Sequence, residues 1–254
     1  MATLTELTSA QHKDLHIVPD AVMQQISKQH MMNVHATEIA NAATCFPVFI
    51  SRNSINGRLS ISALTNLVAG HNLYVSNGHW DPVFRPIGLQ TLPLYLMQRP
   101  EDPNQFTVGF DSSSECFATS GGEPLFTEDG KATSLLMEKS KLLESELNMV
   151  RQTHGFLQAM EKHNLLKSVD LQVKYDNERV NVIQGLYTIN EDQLQTMNTE
   201  QFEELRKAGY LMPIHALLMS LYQVNVLVNR FNAHSLTEKI SEVKIEVSKN
   251  LTNN

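Results

Sequence analysis

The stretch Val169-Asp170-Leu171-Gln172-Val173-Lys174-Tyr175 decides the reading of the fold, because apolar and polar residues alternate through it without a break. A strand sends successive side chains to opposite faces, so the alternation describes a ribbon with one buried face. Asp176-Asn177 is a turn signal, and Val180 and Val182 take up the alternation again on the return. Together they predict a β-hairpin.

Upstream of the hairpin the period changes. From Thr133 or Ser134 as cap, Leu136, Leu143, Leu147, Val150 and Leu157 recur at helical spacing, while Lys139, Lys141, Glu144 and Glu146 fill the other face. This is an amphipathic helix, expected to break near Gly155 and resume to Lys162. Downstream, Asn190 with Gln193 and Asn198 with Gln201 set an acceptor at a helix start and an amide three residues on. That arrangement satisfies the first free backbone donors and predicts two short helices ending near Gly209. The run 211–228 is the most apolar in the chain, interrupted by Pro213, His215, Ser220, Gln223 and Asn225. It falls short of the ~20 apolar residues that span a bilayer, so a buried, central helix and no membrane span are expected. After Phe231 the composition turns polar, and 232–254 is expected to be a charged helix or a frayed tail.

The N-terminal half reads as short strands. Met31 to Val34 is one, followed by a helical stretch from Ala36 to Thr44. Pro47 then forces the chain to extend into Val48-Phe49-Ile50. Asn56-Gly57 suits a tight turn, after which Leu59, Ile61 and Ala63 alternate with Ser60 and Ser62, giving a hairpin with 48–50. Leu73-Tyr74-Val75, ending at Asn77-Gly78, and Phe106 to Phe110 are further strands. Between them Pro82, Pro86, Pro93, Pro100 and Pro103 exclude regular helix and indicate a long ordered excursion, with Gln98 to Asn104 as its flexible connection. The expected fold is α+β in one domain over 1–254. It has a mostly antiparallel sheet of short strands in the N-terminal half, a central amphipathic helix, a β-hairpin and a C-terminal helical segment.

Composition narrows the function classes. Hydrophobic residues make up 42% and charged residues 19%, values of a chain that folds and not of a disordered one. Lys and Arg number 20 against 27 Asp and Glu, a net charge of −7 with no basic cluster, which argues against nucleic acid as a partner. Cys45 and Cys116 are read as reduced thiols, Cys45 in the core and Cys116 in a loop. The opening residues Met1 to Leu7 lack the basic segment and apolar run of a secretory signal, so a cytoplasmic location is expected.

Motifs for chemistry are few. G-x-G-x-x-G, Gly-Lys-Ser/Thr, G-x-S-x-G and H-E-x-x-H do not occur, so no cofactor and no catalytic residue is predicted. His35-Ala36-Thr37-Glu38 would put His35 and Glu38 on one helix face, with His71 and His79 as further ligands of a metal. The competing reading is a surface His beside a Glu favoured at a helix start. The most distinctive cluster is Gly78 to Pro86, where the single tryptophan, Trp80, precedes Asp81 and Arg85. An aromatic with a guanidinium suits an extended peptide or a planar ligand, and Glu38, Trp80, Asp81 and Arg85 are the ligand-binding candidates. The plainer alternative is a Trp plugging the sheet, with an Asp81 to Arg85 pair pinning the loop.

Several pieces in order resemble the SapC family of bacterial proteins. They are Glu38 to Phe49 as E-I-A-N-A-A-T-C-F-P-V-F, Gly70 to Val75 with Gly78-His79-Trp80, and Gly122 to Gly130. Further on come Thr153-His154-Gly155-Phe156 with Asn164-Leu165-Leu166, Gly185-Leu186-Tyr187, and Gly209-Tyr210-Leu211 running into His215 to Leu221. The resemblance covers roughly 16–231. Where relatives carry a basic, aromatic and proline run after the Trp segment, this chain reads Gly88-Leu89-Gln90-Thr91-Leu92-Pro93-Leu94-Tyr95. The resemblance implies association with a bacterial surface layer, a peptide-transport label, and neighbourhood with TonB-dependent receptors and tryptophan-halogenase-like enzymes. The expectation drawn from it is a soluble accessory protein, not a permease, that binds a protein or peptide partner. An enzyme or enzyme subunit, metal-dependent or not, acting on peptides or aromatic compounds beside halogenase-like partners, is the alternative. A surface-layer component is the third.

Overall fold

The computed structural model describes residues 4–52, 57–99, 102 and 105–248. The fold is α+β, with antiparallel strand pairing throughout the named ladders. It divides into two compact units, one of Met1–Lys28, Val75–Trp80 and Ile87–Asn148, the other of Gln29–Tyr74, Asp81–Pro86 and Met149–Asn254. The helix Ser134–Lys162 contributes residues to both.

The second unit is built on a six-stranded sheet. Its strand order is Ile240–Val247, Leu166–Tyr175, Val180–Ile189, Val48–Arg52, Leu59–Leu64 and Met31–Asn33. The hairpin legible in the sequence is its centre, and Val169, Leu171, Val173 and Tyr175 are all buried, as their period of two requires. Of the N-terminal strands, Val48–Arg52, Leu59–Leu64 and Met31–Asn33 join the hairpin's sheet. Leu186 and Tyr187 of the hairpin pair with Ser51 and Ile50, so sequence-distant strands share one sheet, in which Phe49, Ile50, Ile61 and Leu171 are all buried, on both of its faces. The 48–52 and 59–64 strands pair as expected, with Ile50 opposite Ile61; of the turn between them, Asn56 lies outside the described residues.

The polar tail differs from expectation. Ile240–Val247 is a strand, paired with Leu166–Tyr175 along its length, because Val243, Ile245 and Val247 keep a strand's period beneath the charges. The apolar run 211–228 also differs. It forms two helices, Leu211–Ser220 and Gln223–His234. Only one stripe, Ile214, Leu217, Ser220, Val224 and Leu227, is buried, while Met219 and Tyr222 are 67% and 76% exposed. The stretch Leu211–His234 is long and apolar enough to cross a membrane by length and composition, and 33% of its most apolar window is buried. Ser220 ties the first of these helices to the sheet: its Oγ accepts the Val48 N–H at 3.0 Å and donates to the Leu217 carbonyl at 2.6 Å.

Helix ends follow local chemistry. Asn198 and Gln201 form a reciprocal capping box at Thr199–Lys207, and Asn190 accepts from the Gln193 N–H at Glu191–Thr196. Thr199–Lys207 closes on Gly209 at φ 75°, with Tyr210 N–H on the Leu205 carbonyl at 3.0 Å and Gly209 N–H on that of Arg206 at 3.1 Å. This left-handed ending needs no Cβ and selects glycine.

The first unit holds a sheet ordered Leu4–Glu6, Phe106–Asp111, Leu94–Gln98, and a second of Phe117–Ala118, His16–Ile17, Glu123–Pro124. The helix Ser134–Lys162 runs unbroken through Gly155, against the expected interruption. The Pro-rich segment does hold a short helix, Ile87–Thr91, placed directly after Pro86, where a proline costs a helix nothing. Pro100, Pro103 and Asn104 lie outside the described residues. Leu73 and Tyr74 are not strand; the ladder is Val75–Ser76 with His79–Trp80 around Asn77-Gly78, both in the left-handed region at φ 50° and 75°.

Candidate functional site

The His35 to Glu38 segment is a 3-10 turn leading into the helix Ile39–Ala42. The Glu38 carboxylate accepts the backbone N–H of His35 at 2.9 Å and is buried. The structure therefore brings His35 and Glu38 together as a cap on a helix start. Thr153 locks this turn to the long helix: its Oγ1 accepts the Ala36 N–H at 2.9 Å and lies 3.3 Å from the His35 ring. His71 and His79 are both exposed, His71 in the second unit and His79 on the Trp80 ladder of the first. Among the described residues no group of three or more His, Cys, Asp or Glu is placed to hold a metal.

The residues of the Trp80 cluster make the following contacts. Trp80 is half-buried and pairs with Val75. Asp81 lies 3.4 Å from Arg230, a residue the sequence did not single out. The Arg230 guanidinium sits 4.3 Å over the Tyr74 ring and also donates to the Leu73 carbonyl at 3.3 Å. Tyr74 itself donates to the Cys45 carbonyl at 3.0 Å and sets its ring edge to face against Phe46. Arg85 is half-buried, and that burial draws its guanidinium below its ordinary value.

Burial pushes the Tyr74 phenol up to about 12, with the Arg230 cation opposing. The folded chain thus holds this proton more tightly than the unfolded chain, whose tyrosine titrates near 10.0. The stabilisation is complete below pH ~10 and is lost as pH rises towards ~12, about 2–3 kcal/mol over the interval. Urea titrations across that window, compared with Tyr74→Phe, are expected to show this extra loss in the wild type alone. Parallel curves for the two proteins would refute it.

A concavity of the second unit lies elsewhere. A cleft of about 360 Å³ is lined by Ala36, Thr37, Ala40, Gln152, Tyr210 and Met212, among others, all uncharged. Its walls come from the 3-10 turn and helix at 36–42, the long helix, and the junction after Gly209. Gly155 lets the Tyr210 side chain come close to the long helix. A Cβ there would stand 2.9 Å from the Tyr210 hydroxyl, so the glycine that looked like a helix break is a packing device that seats Tyr210. Phe156, fully buried, meets the Tyr210 ring edge to face at 5.5 Å. His35, Thr153 and His154 contribute to a smaller hollow of about 230 Å³. In the first unit a hollow of about 390 Å³ is lined by Leu7, Phe126, Leu136, Lys141 and Glu144, among others.

Two segments that carry the family likeness, beginning at Glu38 and Gly209, line the uncharged cleft through Ala40, Gly209 and Tyr210, and a third, beginning at Thr153, packs against its walls through Thr153 and Phe156, whereas the Gly122 to Gly130 segment reaches the first unit's hollow through Phe126. Residues 7–227 match the model of the family described as SapC. Neither the comparison with curated proteins nor that with solved structures gave a match.

Proposed function

From the premise that this chain belongs to the SapC family, we propose that it is a binding protein that takes a short run of extended peptide into the cleft at Ala40, Gln152 and Tyr210. In this reading it works inside the bacterial cell as an accessory to a cell-surface, uptake or peptide-modification system, and is not itself a permease. One observation carries the proposal: the cleft is of ligand-pocket size, about 360 Å³, and no charged side chain lines it. A peptide backbone is neutral and presents donors and acceptors in alternation. Gln152 offers an amide with both, and Tyr210 a hydroxyl with both. Ala36, Ala40, Met212 and Pro213 supply apolar surface for a small side chain, and the unbranched thioether of Met212 adapts to different shapes.

Random peptides displayed on phage are the probe. Selection on the wild-type chain is expected to enrich binders whose affinity for Ala40→Trp falls by at least about tenfold, since the indole fills the cleft. The variant's urea midpoint reports whether it is folded. Enrichment that survives Ala40→Trp unchanged, or none at all on the wild type, would overturn the proposal.

A further inference from the structure

Among the described residues the strand Ile240–Val247 ends the six-stranded sheet, with Leu166–Tyr175 as its one sheet neighbour. Its outer edge has a definite hydrogen-bonding phase. Ser248 N–H donates to the Ser168 carbonyl at 3.1 Å, and Val247 stands opposite Val169. In an antiparallel ladder, pairs that exchange bonds alternate with pairs that do not. Residues 242, 244, 246 and 248 therefore turn their backbone groups inward. Val243, Ile245 and Val247 turn theirs outward, off the sheet.

The side chains on this edge are exposed: Ile245 is 37% and Val247 59% accessible, and the Glu242 and Lys244 side chains are 49% and 55% accessible. Ile245 and Val247 lie opposite the buried Leu171 and Val169, so they extend the sheet's core face to its open rim. Exposed edges of this length ordinarily carry charges that discourage pairing. Here the charges are arranged as Val243-Lys244-Ile245-Glu246-Val247, a sequence that complements itself when reversed about Ile245.

We infer that this edge pairs with the same edge of a second copy, antiparallel and two-fold symmetric about Ile245. Val243 then faces the partner's Val247, Ile245 faces the partner's Ile245, and each of these pairs exchanges two backbone hydrogen bonds. Lys244 faces the partner's Glu246 in the closer, non-bonded pairs, where opposite charges gain most. Glu246 already accepts from Gln172 at 2.7 Å, which holds its carboxylate on the same face. Other registers fit worse. Centring on Lys244 opposes Lys244 to itself and Glu242 to Glu246, and centring on Val243 sets Ile240 against Glu246. A foreign strand would have no reason to match this pattern; a second copy matches it by symmetry. The inference does not depend on the cleft or on what the cleft binds.

Sedimentation velocity over a concentration series tests it. A short edge is at the small end of specific interfaces, so reversible dimerisation near ~10 μM is expected. Lys244→Glu or Glu246→Lys alone is expected to weaken association at least about tenfold, since each places like charges opposite at two symmetric positions. The double variant Lys244→Glu with Glu246→Lys restores the pairing and is expected to return within about threefold of wild type. Recovery in the double variant also shows that the single ones fail for reasons other than folding. A wild type that stays monomeric throughout, or a dimer indifferent to the single reversals, would overturn the inference.

Discussion

Phe156→Ala is expected to lower the unfolding free energy by about 3–5 kcal/mol, the usual cost of emptying a buried aromatic site. Phe156 is fully buried, one turn from the equally buried Met160, and the backbone of an α-helix cannot collapse inward to refill the space. The cavity also removes the ring edge that seats Tyr210. The damage therefore reaches the cleft as well as the core. Phe156→Leu keeps most of the volume and is expected to lose about 1–2 kcal/mol. Urea unfolding reads the stability, and near-ultraviolet circular dichroism reads the order of the tyrosine. A loss below ~1 kcal/mol for alanine, or an undisturbed tyrosine signal, would mean that Phe156 does not hold the wall of the cleft.

That dependence explains which parts of the molecule were readable from the residues. The hairpin around Asp176 and the long helix from Ser134 were legible because each carries its own period over ten residues or more. The capping box of Asn198 and Gln201 was legible because both partners lie within one turn. Legibility ended where partners are distant. The Leu186 to Ser51 pairing joins segments more than a hundred residues apart, and no local pattern announces it. Arg230 carries no local signal for the same reason, although it meets Asp81 and Tyr74. The strand Ile240–Val247 was concealed differently: its polar composition outweighed a period of two that was present in Val243, Ile245 and Val247.

The candidate site shows the same division. Glu38 was readable as a helix-start carboxylate, and it serves there as a cap; a metal-ligand role would need further partners at His35 that the described residues do not supply. The cleft was not readable, since Gln152, Tyr210 and Ala40 are ordinary residues at unremarkable spacings. The usable signal was Gly155, a glycine inside an otherwise regular helical pattern. Such a residue costs a helix about 1 kcal/mol relative to alanine, so its presence asks for a close neighbour, and Tyr210 is that neighbour.

Gly122→Ala is the sharper test of the first unit, and Gly121→Ala is its built-in control. Both glycines have φ 76°, so alanine at either pays the left-handed penalty of about 1–2 kcal/mol. They differ in surroundings. A Cβ at Gly121 meets nothing within 4 Å, whereas one at Gly122 would stand 2.3 Å from the Ile17 carbonyl oxygen. That oxygen belongs to backbone in the centre of a sheet, where Ile17 lies opposite Phe117 on one side and Glu123 on the other. It cannot swing aside as a side chain would. Relief requires moving Glu123–Pro124 off His16–Ile17, which also strains the Leu125 N–H bond to the Leu15 carbonyl and the fully buried Leu125 side chain. Overpacking of this kind adds about 1–3 kcal/mol, so Gly122→Ala is expected to lose about 2–5 kcal/mol and Gly121→Ala about 1–2. Hydrogen exchange at the Leu125 amide is expected to quicken in the first variant and to change little in the second. Equal losses in the two variants would show that the backbone angle alone requires glycine at Gly122, and that the strand pairing at Ile17 has room to spare.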